Sequence, residues 1–66
     1  MTDGAVHPGQ VWSHPQRDFG PWFVVAVSRM AGTGQELVTY RMTNDSSTFW
    51  TRPLDNWREL GLIRRR

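Results

Sequence analysis

The chain is predicted to be mostly β, a small antiparallel sheet with one short helical turn near its end. Three observations carry that prediction. Runs of β-branched and aromatic residues recur, each closed by a cluster of Gly, Pro, Asn, Asp or Ser. The last run, Thr48-Phe49-Trp50-Thr51-Arg52, meets Pro53, which lacks an N–H and suits the start of a helix better than a ladder. Finally, 66 residues without a cysteine carry four Trp, three Phe and one Tyr. In so short a chain aromatic mass has to replace the disulfides or metals that staple other small folds.

Residues 1–8 mix Gly, Asp, His and Pro without periodicity and read as a loose lead-in to a single domain over residues 9–63. The first strand spans 10–14 and stops at Pro15; residues 15–21 are rich in breakers and form a loop. The strongest strand runs over 22–30, with Trp22, Val24 and Ala26 alternating against Phe23, Val25 and Val27, as in a central strand. Ala31-Gly32-Thr33-Gly34 turns the chain into a return strand over 35–43. There Val38, Tyr40 and Met42 form the expected core face, and Leu37, Thr39 and Arg41 the other. Asn44-Asp45-Ser46-Ser47 is a second turn, since these side chains satisfy nearby backbone groups. A strand over 48–52 follows, then a helical turn from Pro53 to Leu60, with Leu54 and Trp57 on one face. Gly61 ends the turn, and Leu62-Ile63 add a short last strand. Such strands make a small curled sheet, of which an SH3-like barrel is the simplest closed form. Trp50 and Trp57 are both expected to be buried at the corner between strand and helix.

The formal charge is +2, and all eight basic residues are Arg, three of them at 64–66. Residues 1–63 therefore carry five Arg against six acids, nearly neutral, so the basicity is expected in a solvated tail rather than on a face. No apolar run approaches the roughly 18–20 residues of a membrane span, and nothing resembles a signal peptide. A cytoplasmic protein without membrane contact is the expectation. His7 and His14 are the only histidines and lack a carboxylate cluster, so no metal or other cofactor is expected. No triad, paired carboxylates or phosphate-binding glycine loop is present, and catalysis is not expected.

The candidate ligand-binding residues are Arg52, Arg41, Trp12, Tyr40, His14 and Trp50. An arginine beside an indole suits phosphates, carboxylates or bases, through two-pronged hydrogen bonds and stacking. The alternative is structural: the tryptophans close a small core while Arg52 caps a carbonyl or pairs with Asp55 or Glu59. His14, beside a proline-rich loop, has no partner base or nucleophile in the sequence around it.

The succession Gly9…Trp12-Ser13-His14, Phe23-Val24-Val25, Thr33-Gly34, Val38-Thr39-Tyr40-Arg41 and Trp50-Thr51-Arg52-Pro53-Leu54 resembles a family of short bacterial and phage domains of unknown function. Those domains share a Gly-x-x-aromatic-x-His start and a Trp-x-Arg-Pro-Leu corner. The resemblance covers residues 9–60 and implies a compact SH3-like fold, with no established activity. This chain departs from the pattern in its central hairpin, where Met30 and Gly32 replace a histidine and an acidic residue, and its Pro15–Pro21 loop is longer. A ligand site that used that hairpin would be altered here.

Two functions follow as expectations. The first is a non-catalytic binding module that recognises an anionic ligand, a nucleotide or nucleic acid, through aromatic and Arg side chains. The second is a phage-encoded protein–protein module, an inhibitor or adaptor of a host protein, since Trp, Tyr and Arg dominate binding hot spots. Self-association is compatible with either.

Overall fold

The computed structural model describes residues 5–16 and 21–65. Strand β1 (Val11–Ser13), β2 (Trp22–Arg29), β3 (Glu36–Met42) and β4 (Trp50–Pro53) precede helix α1 (Leu54–Glu59) and strand β5 (Ile63–Arg65). All pairings are antiparallel, in one five-stranded sheet of order β4-β3-β2-β1-β5. The sheet is curled but open: β4 and β5 are its two edges, so the closed barrel is not the form adopted. Among the described residues no helix is long and apolar enough to cross a membrane.

The β2–β3 hairpin closes through Met30 N–H to the Gln35 carbonyl (2.8 Å) and Gly34 N–H back to the Met30 carbonyl (2.9 Å). Gly34 sits at φ 73°, a region an L side chain enters only with strain. Within the hairpin the register slips between Val24 and Ala26, where Val25 is the extra residue of a bulge. The β3–β4 turn is held by Asp45, whose carboxylate accepts the Ser47 hydroxyl (2.7 Å) and amide (3.0 Å). Those two bonds favour the ionised form and draw the Asp45 pKa below its usual value.

Directly opposed residues in a ladder share a face. Trp12, Trp22, Val24, Val38 and Tyr40 thus look toward one side of the sheet, and α1 lies there. The helix delivers Leu54 and Trp57, three positions apart, into this face. Val38 and Val24 are fully enclosed and Trp57 is 2% exposed. The rings of Trp12, Trp22 and Tyr40 surround Trp57 with centroids at 6.0, 5.7 and 5.2 Å, all edge-on. Trp22 and Tyr40 stack on each other at 4.8 Å, nearly parallel at 12°.

The core face of β3 and the burial of Trp57 agree with the sequence prediction. Pro53 comes one position earlier than expected, as the last strand residue and helix cap, and Gly61 ends the turn at φ 67°. Three expectations fail. Trp50, predicted to be buried, is 52% exposed. It lies on edge strand β4, opposite Tyr40, where a neighbour exists on one side only. The helix that begins at Leu54 takes Trp57, not Trp50, to the centre of the sheet. The lead-in, predicted to be loose, contributes Val6 to the core, and Gly9 N–H bonds the Val24 carbonyl at 2.9 Å. The basic tail is also partly ordered, because Arg64 and Arg65 are strand residues paired with Trp12 and Val11. Arg66 and most of the 15–21 loop lie outside the described residues.

The two corner tryptophans should therefore separate in a stability measurement. Trp57→Ala should cost about 3–5 kcal/mol, as large aromatic truncations in cores do, and leave the domain largely unfolded. Trp50→Ala should stay within roughly 1 kcal/mol of the parent in urea denaturation. Equal losses at both positions would return Trp50 to the core.

Candidate functional site

Arg52 projects from β4 onto the helix side of the sheet, since it opposes Val38. Its guanidinium lies 5.5 Å from the Tyr40 ring centroid and 5.6 Å from that of Trp22. Its Nε and Nη2 both donate to the Tyr40 hydroxyl, at 3.1 and 2.9 Å, and Nη1 donates to the Asn56 carboxamide oxygen of α1 at 2.7 Å. The guanidinium thus ties β4, β3 and α1 together. Every one of these acceptors is neutral, so neither Asp55 nor Glu59 is its hydrogen-bond partner. Arginine remains charged under all ordinary conditions and carries five N–H groups, of which three are used here. The remainder form a fixed cationic edge beside the half-exposed indole of Trp50, two residues back on the same face.

The other predicted site residues divide between this corner and places remote from it. Tyr40 is 3% exposed and acts from below, orienting the guanidinium through its hydroxyl. Trp12 is core, and its indole N–H is satisfied by the Gln10 side-chain oxygen at 3.1 Å. His14 packs at 6.4 Å from Trp22, and its Nδ1 accepts the Gln16 amide at 3.1 Å. Arg41 is on the opposite face of the sheet, over the ring of Phe23 at 4.8 Å, with Nη1 donating to the Met42 carbonyl at 3.1 Å. Arg41 and Arg52 therefore cannot serve one ligand in one subunit without the ligand passing round the sheet.

Sequence reasoning missed two members of the corner. Asn56 gives no signal in the sequence because its partner is on another element; its distance from Arg52 in sequence matches a helical turn, but Arg52 is not helical. Trp22 belongs to a strand apolar on both faces, and which face is the core follows only from its pairing with Trp12 and Met42. Among the described residues no cluster of three or more His, Cys, Asp or Glu could hold a metal. A groove of about 200 Å³ between the β2–β3 hairpin and α1 is lined in part by Arg29, Glu36, Asp55 and Arg58. Its two carboxylates offset its two guanidiniums, which leaves little net attraction for an anion.

Comparison of the chain with family models, with curated proteins and with solved structures finds no match.

The brace role of Arg52 is measurable apart from any ligand. Tyr40→Phe removes one oxygen that accepts two guanidinium hydrogens and should cost about 1–2 kcal/mol. In a domain of this size each kcal/mol lowers the melting temperature by roughly 4–8 °C. A Tyr40→Phe melting curve superimposable on the parent would show that the brace contributes nothing to stability.

Proposed function

We propose that this protein is a small non-catalytic module that binds an anionic, planar ligand, a nucleotide or a nucleic acid. Arg52 is its charge partner and Trp50 its stacking face. The observation that carries this reading is the state of Arg52, a guanidinium fixed by three hydrogen bonds to neutral oxygens beside an exposed indole. A cation already held in place loses little side-chain freedom on binding, which favours affinity. A planar fork suits phosphate, and an indole suits any base, since every base has a π-face. Tyr40 acts indirectly, by setting the angle of the guanidinium. The resemblance to short bacterial and phage domains adds no activity to this picture.

A second reading, a module that binds a host protein, is favoured by one feature. Phe49 and Trp50 are consecutive and 57% and 52% exposed, at the edge of the sheet, and such aromatic pairs suit protein hot spots. The two readings differ in salt dependence, because phosphate contacts weaken steeply with ionic strength and an aromatic protein contact does not.

Titration with nucleoside phosphates, followed by tryptophan fluorescence, tests the first reading. Trp50→Ala should fold and lose the stacking contribution of about 1–3 kcal/mol. Arg52→Lys should weaken binding although the charge is kept, because an ammonium lacks the two-pronged plane. Two folded variants with parental affinity would shift the assignment to the protein–protein module.

A further inference from the structure

The side of the sheet away from α1 has a different composition. Val11 opposes Phe23, Phe23 opposes Arg41, and Val11 opposes Arg65 on its other flank, so Arg65, Val11, Phe23 and Arg41 form one row across four strands. Three strand spacings of roughly 4.8 Å place the two arginine positions about 14 Å apart. Arg41 lies over Phe23, and Arg65 Nη1 donates to the Ser13 hydroxyl at 3.2 Å. The remaining strand positions of this face include Ala26, Leu37, Thr39 and Thr51, with the last two sharing a hydrogen bond of 2.9 Å.

No described strand residue on this face is acidic. Asp55 and Glu59 belong to α1 or its end, Glu36 opposes Arg29 on the helix side, and Asp45 is in the β3–β4 turn. Among the described residues the charges are thus segregated: carboxylates gather on the helix side and in a turn, and the strand positions of the open face carry cations alone. Strand β5 creates this asymmetry, because its pairing puts Arg65 on the open face and Arg64 on the other.

We infer that the open face is a second binding surface, for single-stranded nucleic acid, separate from the Arg52–Trp50 corner and independent of whether that corner is occupied. A guanidinium laid over a phenyl ring is a cationic plane on which a base stacks, and Arg65 meets a backbone phosphate further along the strand. The charge of the face is complementary to a polyanion. A five-stranded sheet is too broad to enter a duplex groove, whereas splayed bases reach a sheet surface directly.

The test is fluorescence anisotropy of a labelled oligo-dT of about 12 nucleotides, within the usual size of a single-strand site, over a series of salt concentrations. The same sequence annealed to its complement is measured alongside. The double variant Arg41→Gln/Arg65→Gln should lose at least about tenfold in affinity for the single strand, and its log–log salt slope should fall by about 0.7, for the one phosphate that Arg65 meets. Arg41→Lys/Arg65→Lys should restore the slope but not the full affinity, because lysine provides no plane. Arg58→Gln, which removes one charge from the helix side, should leave binding unchanged.

Parental oligonucleotide affinity in a folded Arg41→Gln/Arg65→Gln protein overturns the inference. So does a loss of oligonucleotide binding in Trp50→Ala alone, which would place the strand at the corner instead. Equal binding of duplex and single strand overturns the base-stacking part and leaves a simple polyanion surface. Sedimentation as a dimer that oligo-dT does not dissociate, and that the double glutamine variant breaks, would assign the face to a second copy of the chain. Nucleoside phosphate binding measured through Trp50 is the separate readout of the corner, so failure at one surface is not failure at the other.

Discussion

Trp57 is carried by a helix of six residues, too short to persist alone in water and without a side-chain cap at its start. The helix exists because its indole is seated among Trp12, Trp22 and Tyr40, and the sheet has a core because the helix brings that indole to it. Helix and sheet thus contribute rings to one shared core. The seat has a cost as well. The Trp57 indole N–H is buried with no hydrogen-bond partner, and an unsatisfied donor of this kind costs about 1–3 kcal/mol.

Arg52 joins the same assembly at its edge. Fixed to Tyr40 and Asn56, it fastens the end of β4 to the start of α1 by hydrogen bonds that need no counter-charge. Its positive charge is consequently not cancelled by a bonded carboxylate. The planar fork serves the two oxygens from separate nitrogens, an arrangement that a single lysine ammonium does not reproduce. Three of the four further arginines of the described strands show the same habit. Arg29, Arg41 and Arg65 donate to the Gly34 carbonyl, the Met42 carbonyl and the Ser13 hydroxyl, all neutral.

Local chemistry was readable where one residue decides the matter. Pro53 ends the ladder because it has no N–H, Gly61 ends the helix because it accepts positive φ, and the Asp45–Ser47 contacts make a turn by themselves. Alternation along β3 likewise separated Tyr40 from Arg41 without knowledge of a partner strand. What depended on pairing was not readable. The exposure of Trp50 follows from β4 being an edge, and the order of strands is not written in any one of them. Arg64 and Arg65 look like a charged tail until β1 offers them a ladder, and only that register tells which face each arginine joins. Of the predicted ligand residues, Arg52 and Trp50 share a surface because an even spacing on one strand guarantees it. Arg41 and Arg52 do not, because their faces are set by different neighbours.

The bulge at Val25 has a consequence for how this sheet is curved. Its partners on either side, Val24 with Tyr40 and Ala26 with Thr39, point to the faces they would occupy if Val25 were absent. The residue is therefore not needed to sort side chains into core and surface. Its contribution is geometric: an extra residue lengthens one strand of the hairpin, sharpens its bend and increases the local twist. A chain shortened by that one residue would keep every inward and outward assignment of β2 while its hairpin straightened. Curvature and patterning, which are entangled in most small β-folds, are here separable at a single position.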